Sequence, residues 1–571
     1  MKRYQVTVII VLIVLSWIAF FSLLSLTTKK INPLPSSSAP VQFDTKSAMG
    51  YIEGLSVGFP YRSEGSDAYA AAARWLADTF RGMGLDARIE ELPVVVGGKD
   101  ITGLDVVAES PGRTDEIIVV TGHFDVPAFV SGGAADDASG VGVMLEIARI
   151  FSKEPHEKTL VFVADGGEEY GMWGARGFID TLKDKKKVAA VIDLDFAHLM
   201  KPAYFLPLFA GTHRGYTPPT LRETTLAGLA GGDLPIREVS PVFEYLDRTI
   251  PIAVVDAGSY LGAGIPAVNL GVSTDDPEYN NVYYHTEKDV FASLEEAPIK
   301  ALGEATERIV LALDENPLPA ESMYYLTVGA GRYAPGWAVR LAQLILFAPL
   351  FAATAFLIMN RKKGALASFW DESKAYAGAV GALLFGYVVL LVLPEVGLLV
   401  KYDLYPATMK DPFLYHPRWL PIVLTYGSMV LVGIILWRFT PLFVKTGKNP
   451  ADRRAFLTAA LAVISLLTWA VNGFAATLLL ILPATLWIWI GPGRSKIRIV
   501  GNLALLVGGT VVFAALLYFF PKIYYIGPIW WYLSLAAAYG LVTPAAVVLF
   551  LMTLGLLIRL LALSFARTGK D

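Results

Sequence analysis

The sequence predicts an α/β domain, with a mixed, mostly parallel sheet covered by helices on both faces, joined to an α-helical polytopic membrane domain. Three observations carry this. Short apolar, β-branched runs alternate with helical patterns from about residue 44 to 316, which is the signature of strands linked by crossover helices. Beyond Asn316 long apolar stretches recur to the end of the chain. The composition reflects both parts: 54% hydrophobic and 17% charged residues, with a mean hydropathy of +0.50, are values of a membrane protein rather than a soluble one.

The elements follow in order. Val6 to Leu26 is free of charge and preceded by Lys2 and Arg3. It is long enough to span a bilayer, and with no small-residue cleavage signal after it, it reads as an uncleaved anchor within residues 1–28. Residues 29–43 hold Asn32-Pro-Leu-Pro-Ser-Ser-Ser-Ala-Pro, a Pro/Ser linker expected not to pack. In the globular region, 44–316, Ala68 to Met83 has helical spacing and ends at Gly84. Ala87 to Leu92 alternates as a strand. Ile117–Val120, Thr159–Ala164, Val188–Asp195 and Ile265–Gly271 read as buried strands, Val141–Phe151 and Ser293–Leu313 as helices. Residues 317–336 form a connector.

In 337–571 about seven helices are expected, near 337–359, 376–399, 419–437, 455–471, 474–491, 498–519 and 541–564. Lys and Arg concentrate in alternate loops: Arg361, Lys362, Lys363 and Lys374; Arg438, Lys445, Lys448, Arg453 and Arg454; Arg494, Lys496 and Arg498; then Arg559, Arg567 and Lys570. The other loops are poorer, with Lys401, Lys410 and Arg418, then an Asn472-Gly473 turn, then Lys522. By the positive-inside rule both termini are cytoplasmic and the globular domain lies outside. Trp530 to Phe565 holds either one span with a Trp-rich interfacial helix or two spans, and two would move the C-terminus outside. Glu395 is the one carboxylate expected near membrane depth, close to the outer surface.

With a net charge of −3 nothing points to nucleic acid. The absence of cysteine excludes disulfides and thiolate metal sites. The chemistry gathers instead at strand ends, where open α/β sheets bind ligands. His123 and Asp125 follow the 117–120 strand, Asp136-Asp137 lie shortly after, Glu168-Glu169 follow the 159–164 strand, Asp193 and Asp195 close the next, and His285 falls in Tyr283-Tyr-His-Thr. Imidazole and carboxylate suit divalent metal, and a di-metal hydrolase needs a bridging carboxylate, a water and a base. His123 with Asp195 can hold one cation and Glu169 with His285 another. Asp136 can bridge them, Glu168 can act as general base, and Asp125 can orient His123. Each has a plainer reading: Glu168-Glu169 as an exposed acidic helix start, Asp136-Asp137 as a helix cap, His285 as a loop residue, and either Asp193 or Asp195 as the strand-end ligand.

Together these segments resemble the di-zinc exopeptidases of metallopeptidase family 28, which include leucyl aminopeptidases, aminopeptidase Y and glutamate carboxypeptidase. The matching segments are His123-Phe-Asp, Gly133-Ala-Ala-Asp-Asp-Ala-Ser-Gly, Gly167-Glu-Glu-Tyr-Gly, Asp193-Leu-Asp and Tyr284-His-Thr, with Arg62-Ser-Glu-Gly-Ser and Asp256-Ala-Gly-Ser as supporting matches over roughly 44–316. The resemblance implies a zinc exopeptidase fold and two zinc ions per chain held by His123, Asp136, Glu169, Asp195 and His285. It implies Asp136 as the bridge, a cis Asp136-Asp137 peptide, and Asp195 rather than Asp193 as ligand. It implies hydrolysis of peptides outside the cytoplasm, foremost as an aminopeptidase, with Glu168 as base on a metal-held water. The layout of anchor, peptidase domain and polytopic region is similar to membrane-bound members. Gly167 stands where the family commonly has Ala, and Asp193 where it has Asn. His198 is a further candidate contact near the site. The expected partners are a peptide substrate and the lipid bilayer, with oligomeric state and any membrane partner left open. Two alternatives stand beside this: a glutaminyl cyclase-like single-zinc enzyme, and a non-catalytic scaffold of a membrane complex.

Overall fold

A computed structural model describes residues 1–96, 98–197, 203–210, 215–250, 255–276, 282–329, 331–360, 366–400, 418–439, 449–493, 495–523 and 529–566. His198, Arg361, Lys362, Lys363, Lys401, Lys410, Lys445, Lys448, Arg494, Arg567 and Lys570 lie outside the described residues.

Helix α1 (Arg3–Thr27) leads into strand β1 (Lys29–Lys30), α2 (Thr45–Ser56) and α3 (Asp67–Gly82). Asp44 and Ser66 cap α2 and α3 by accepting the Lys46 and Tyr69 N–H groups. Then come β2 (Asp86–Val96), β3 (Lys99–Ser110), β4 (Ile117–His123), α4 (Ser139–Phe151), β5 (Thr159–Asp165), α5 (Trp173–Thr181), β6 (Val188–Ala197), β7 (Ala203–Phe205), α6 (Pro219–Ala230), α7 (Pro241–Thr249), α8 (Asp256–Gly262), β8 (Ala267–Thr274) and α9 (Glu296–Glu315). Seven strands form one sheet in the order β2-β3-β5-β4-β6-β8-β7. Its centre, β5-β4-β6-β8, is parallel, and antiparallel β2, β3 and β7 flank it.

Period-2 alternation decides which side chains meet which helices. Ile118, Val120, Leu160 and Phe162 pack with α2, α3, α4 and α9, whereas Val119, Val161, Val163 and Val191 pack with α5 and α8. Both faces are therefore apolar, as the near-continuous β-branched runs required. Strand β3 was not expected, because Lys99 to Gly103 is a polar half-strand whose pairing with β2 and β5 is long-range information.

The linker does not behave as composition suggests. Lys29 and Lys30 pair with β10 (Arg332–Pro335), which pairs with β9 (Tyr325–Gly329). Ile31, Leu34 and Phe43 pack against the main core, and the Gln42 and Phe43 N–H groups donate to Glu307. Pro33 and Pro35 prevent regular structure here, yet the interspersed apolar side chains still find a surface to cover. The connector likewise carries the β9–β10 hairpin, which runs directly into the helix that begins at Gly336.

Among the described residues, seven helices are long and apolar enough to cross a bilayer: Arg3–Thr27, Gly336–Met359, Phe369–Val392, Trp419–Arg438, Pro450–Val471, Lys496–Leu516 and Pro544–Ser564. The expected 474–491 span is helical only over Gly473–Trp487, shorter than the roughly 20 residues a bilayer requires. In the Trp530–Phe565 stretch a short helix, Ile529–Ala538, precedes a single long one. Glu395 is exposed in the turn after Val392.

Glu372 is a buried carboxylate that no motif announces. It is completely buried between Arg453 (2.8 Å) and Arg559 (2.9 Å), so one acid joins three apolar helices. Its place in the sequence, between Asp371 and Lys374 at the polar start of an apolar run, gave it the look of a loop residue; only the crossing of distant helices reveals the pair. Removing one member of a buried ionic group costs about 3–5 kcal/mol, because the remaining charges stay buried. Glu372→Ala is accordingly expected to lower the melting temperature of the detergent-solubilised chain; an unchanged melt would show that the triad gives no net stability.

Candidate metal centre

The parallel register carries the chemistry to one edge. His123 ends β4 opposite Asp165, which ends β5, and Asp195 stands near the end of β6. After β5, Gly166-Gly167 turns the chain into Glu168-Glu169. Gly167 has φ +75°, and the Trp173 ring occupies the space a Cβ would need, which accounts for glycine at this position. His285 lies in a one-turn segment before α9 with φ +51°, stacked on Tyr284 at 3.9 Å between ring centroids.

These side chains converge. Asp136 places Oδ1 3.2 Å from His123 Nε2 and Oδ2 3.1 Å from His285 Nε2, so one carboxylate faces two imidazoles with separate oxygens. On the first side Asp195 Oδ1 is 3.8 Å from His123 Nε2. On the second, Glu169 Oε1 is 3.1 Å from His285 Nε2. The structure thus brings together all five residues expected to hold metal. The Asp136-Asp137 peptide is cis. Asp137 accepts the Gly140 N–H at 2.9 Å, the helix-capping role foreseen for it, and stands within 4.8 Å of the same His123 and Asp195 donors. Asp193 is turned to other work: its Oδ2 accepts from Ala257 N (2.8 Å) and Asn269 Nδ2 (3.2 Å).

The donor set fits divalent cations. Asp136, Glu168 and Glu169 are buried and Asp195 is partly so, and among the described residues no Lys or Arg forms an ion pair with any of them. Glu169 Oε1 has no hydrogen-bond partner although the His285 ring nitrogen is close, as expected of donors that face a common point. Burial drives the Glu168 and Asp195 carboxyls well above the usual range, with His123 pulling each back. Burial also raises Asp136, but its hydrogen bonds to His123 and His285 outweigh this and hold it below the normal value. His285 is pushed up to about 10 because Glu169 and Asp136 outweigh its burial. Carboxylates crowded this closely call for positive charge, and neutral imidazole with carboxylate is a donor set that zinc accepts.

Asp125 does more than orient a ring. Its Oδ1 lies 3.3 Å from His123 Nδ1, and its two oxygens accept the Glu168 and Glu169 N–H groups, each at 3.3 Å. One side chain therefore aligns β4's histidine with β5's glutamates.

Three supporting residues were not assigned from sequence. Arg62, completely buried, donates Nε to Phe124 O (2.5 Å), Nη1 to Gly132 O and Nη2 to Gly133 O (3.0 Å), tying down the loop that carries Asp136. Asp289 accepts the Ala135 and Asp136 N–H groups at 2.8 and 3.1 Å. Burial, with the Asp125 carboxylate beside it, pushes the Glu64 carboxyl well up. The Arg62-Ser-Glu segment was the only available signal, and nothing in it states which carbonyls the guanidinium will reach.

What the fold and the site define is an α/β domain of zinc exopeptidase type, with imidazoles and carboxylates that could hold a metal ion gathered at the carboxyl ends of parallel strands. Residues 105–310 match the model of Peptidase family M28, and this part of the chain is a peptidase family M28 domain. The alkaline phosphatase isozyme conversion protein of Escherichia coli is 30% identical over 171 residues, 26% of this chain and 50% of that protein. Aminopeptidase YwaD of Bacillus subtilis is 42% identical over 71 residues, 12% of this chain and 15% of that one. The chain thus spans half or less of the length of these relatives. Among solved structures, a zinc aminopeptidase from Bacillus subtilis aligns with 48% of this chain and 95% of its own, at 17% identity and a TM-score of 0.40.

Arg62→Lys tests the frame. An ammonium cannot reproduce a planar fork on three carbonyls, and each buried carbonyl left unpaired costs about 1–3 kcal/mol. A drop of at least about 2 kcal/mol in the stability of the M28 domain is expected by denaturant titration.

Proposed function

We propose that this chain is a membrane-anchored di-zinc exopeptidase, acting as an aminopeptidase on the side of the membrane that holds the M28 domain. The observation that carries this is the Asp136 carboxylate, set between His123 and His285 with one oxygen toward each. His123, Asp195 and Asp136 would hold one zinc, and His285, Glu169 and Asp136 the other. When bound, zinc supplies Lewis-acid polarisation of the peptide carbonyl and makes a water acidic enough to act near neutral pH.

The chain's own groups supply the rest. Asp125 fixes the His123 ring so that Nε2, not Nδ1, faces the cation position. Glu168, buried beside the donors yet making no ion pair with His123 or His285 among the described residues, is the free carboxylate. It takes the proton of the attacking water and delivers it to the leaving amine. Burial raises its affinity for that proton, as a base acting near pH 7 requires.

Extracytoplasmic placement is supported by charge. Helix ends that adjoin the M28 domain, at Thr27, Gly336, Val392 and Asn472, are opposite to those bearing Lys2, Arg3, Arg453, Arg454, Lys496, Arg498 and Arg559. The basic ends belong on the cytoplasmic side.

The test uses the purified full-length chain. Two zinc ions per chain are expected, with cleavage of free-amine aminoacyl substrates but not of N-blocked ones. Glu168→Gln should keep both metals and lower kcat by about 10²–10⁴-fold. One metal with cyclisation of N-terminal glutamine would instead establish the cyclase, and two metals without turnover on any peptide would favour the scaffold. Metal analysis of two variants adds an independent check: His285→Ala is expected to lose one zinc, Asp136→Asn to weaken both.

A further inference from the structure

The glutamate pair is followed at once by Tyr170, and Tyr170 does not pack into the M28 core. It belongs to an apolar cluster otherwise built from the membrane region: Tyr387, Leu390, Leu393, Leu399, Trp531, Tyr532 and Leu535 among others. Val96, at the end of β2, packs on the same cluster. The Tyr170 hydroxyl in turn accepts the Ala128 N–H at 3.3 Å, on the loop between His123 and Asp136. A single side chain thus touches both metal-bearing loops and is seated on the ends of apolar helices more than 200 residues away in sequence.

Residues 166–171 carry backbone restraints of their own: the Gly166 N–H donates to Asp105 at 3.0 Å, and the Gly171 and Met172 N–H groups donate to Glu168 O at 3.1 Å. The Glu168 and Glu169 N–H groups themselves reach Asp125 only through long, 3.3 Å contacts, so the glutamate pair gains from what packs beside it. A buried aromatic ring next in sequence supplies a further anchor for that pair. We propose that the membrane region is a working part of the metal centre: its cluster seats Tyr170, and Tyr170 is a positioning residue that holds Glu168 and Glu169 in place. This rests on the peptidase reading above, and it gives the polytopic region a role in the chemistry rather than in anchoring alone.

The full-length chain in lipid nanodiscs tests it. The double variant Trp531→Ala/Leu535→Ala and Tyr170→Ala would be compared with Tyr170→Phe, which keeps the ring. Three quantities are read: zinc retained against a competing chelator, hydrogen exchange of residues 166–171, and kcat and KM on a small aminoacyl anilide. The double variant and Tyr170→Ala should lose zinc at least tenfold faster, exchange faster at 166–171, and lose at least tenfold in kcat with KM moving less than twofold. Tyr170→Phe should stay within threefold of wild type. A double variant whose M28 domain melts as wild type does, and which keeps zinc retention, exchange and kcat unchanged, would overturn the proposal and leave the cluster a docking contact. Zinc retention and exchange do not depend on turnover. If they respond while no peptide is cleaved even by wild type, the peptidase reading fails and this one stands.

Discussion

The carboxylate of Asp136 faces two imidazoles at once, and much of the domain serves to keep it there. Asp289 grips its backbone from the His285 side, and Arg62 fixes the carbonyls of Phe124, Gly132 and Gly133 around it. The parallel register of β4, β5 and β6 then brings the remaining donors to the same edge. These restraints act together. Their value is that they act on one small group of atoms, so that displacement of any strand would separate donors that must lie within a few ångströms.

That convergence concentrates negative charge. Asp105, Asp165, Asp193 and Asp256 are all buried close beneath the site, and burial pushes each carboxyl up. Asp105 reaches about 8 and Asp193 about 6. Neighbours relieve this where they can: Asp165 accepts from Thr121, Asp105 from the Gly166 N–H, and Asp193 from Ala257 and Asn269. A layer so poor in cationic partners favours any arrangement that brings cations in above it.

Much of this was legible in the sequence, and the reasons for success and failure are physical. Buried parallel strands announce themselves because both faces need apolar residues, so Ile117–Val120 and Thr159–Ala164 stood out. Donors sat at their ends because that is where a sheet leaves room for ligands. What could not be read was pairing across distance. Lys29-Lys30 gave no sign of the β10 partner about 300 residues on, and Glu372 looked like a loop acid until two remote arginines closed on it. The Ser/Pro linker showed the same limit: composition reports the absence of regular structure, not the absence of a surface to lie upon.

The three-stranded sheet β1-β10-β9 has a mechanical meaning. The chain enters the M28 domain through β1 and leaves it through β10, and these are hydrogen-bonded neighbours. Entry and exit therefore form one pivot at the root of two adjacent helices. A single pivot would let the domain swivel. Two further supports lie away from it: Tyr170 on its apolar cluster, and α7 on Asn472, whose Nδ2 donates to Arg248 O at 2.8 Å. Contacts at these further places oppose that swivel. The M28 domain is thereby carried on the apolar helices at several points rather than hung from a single hinge.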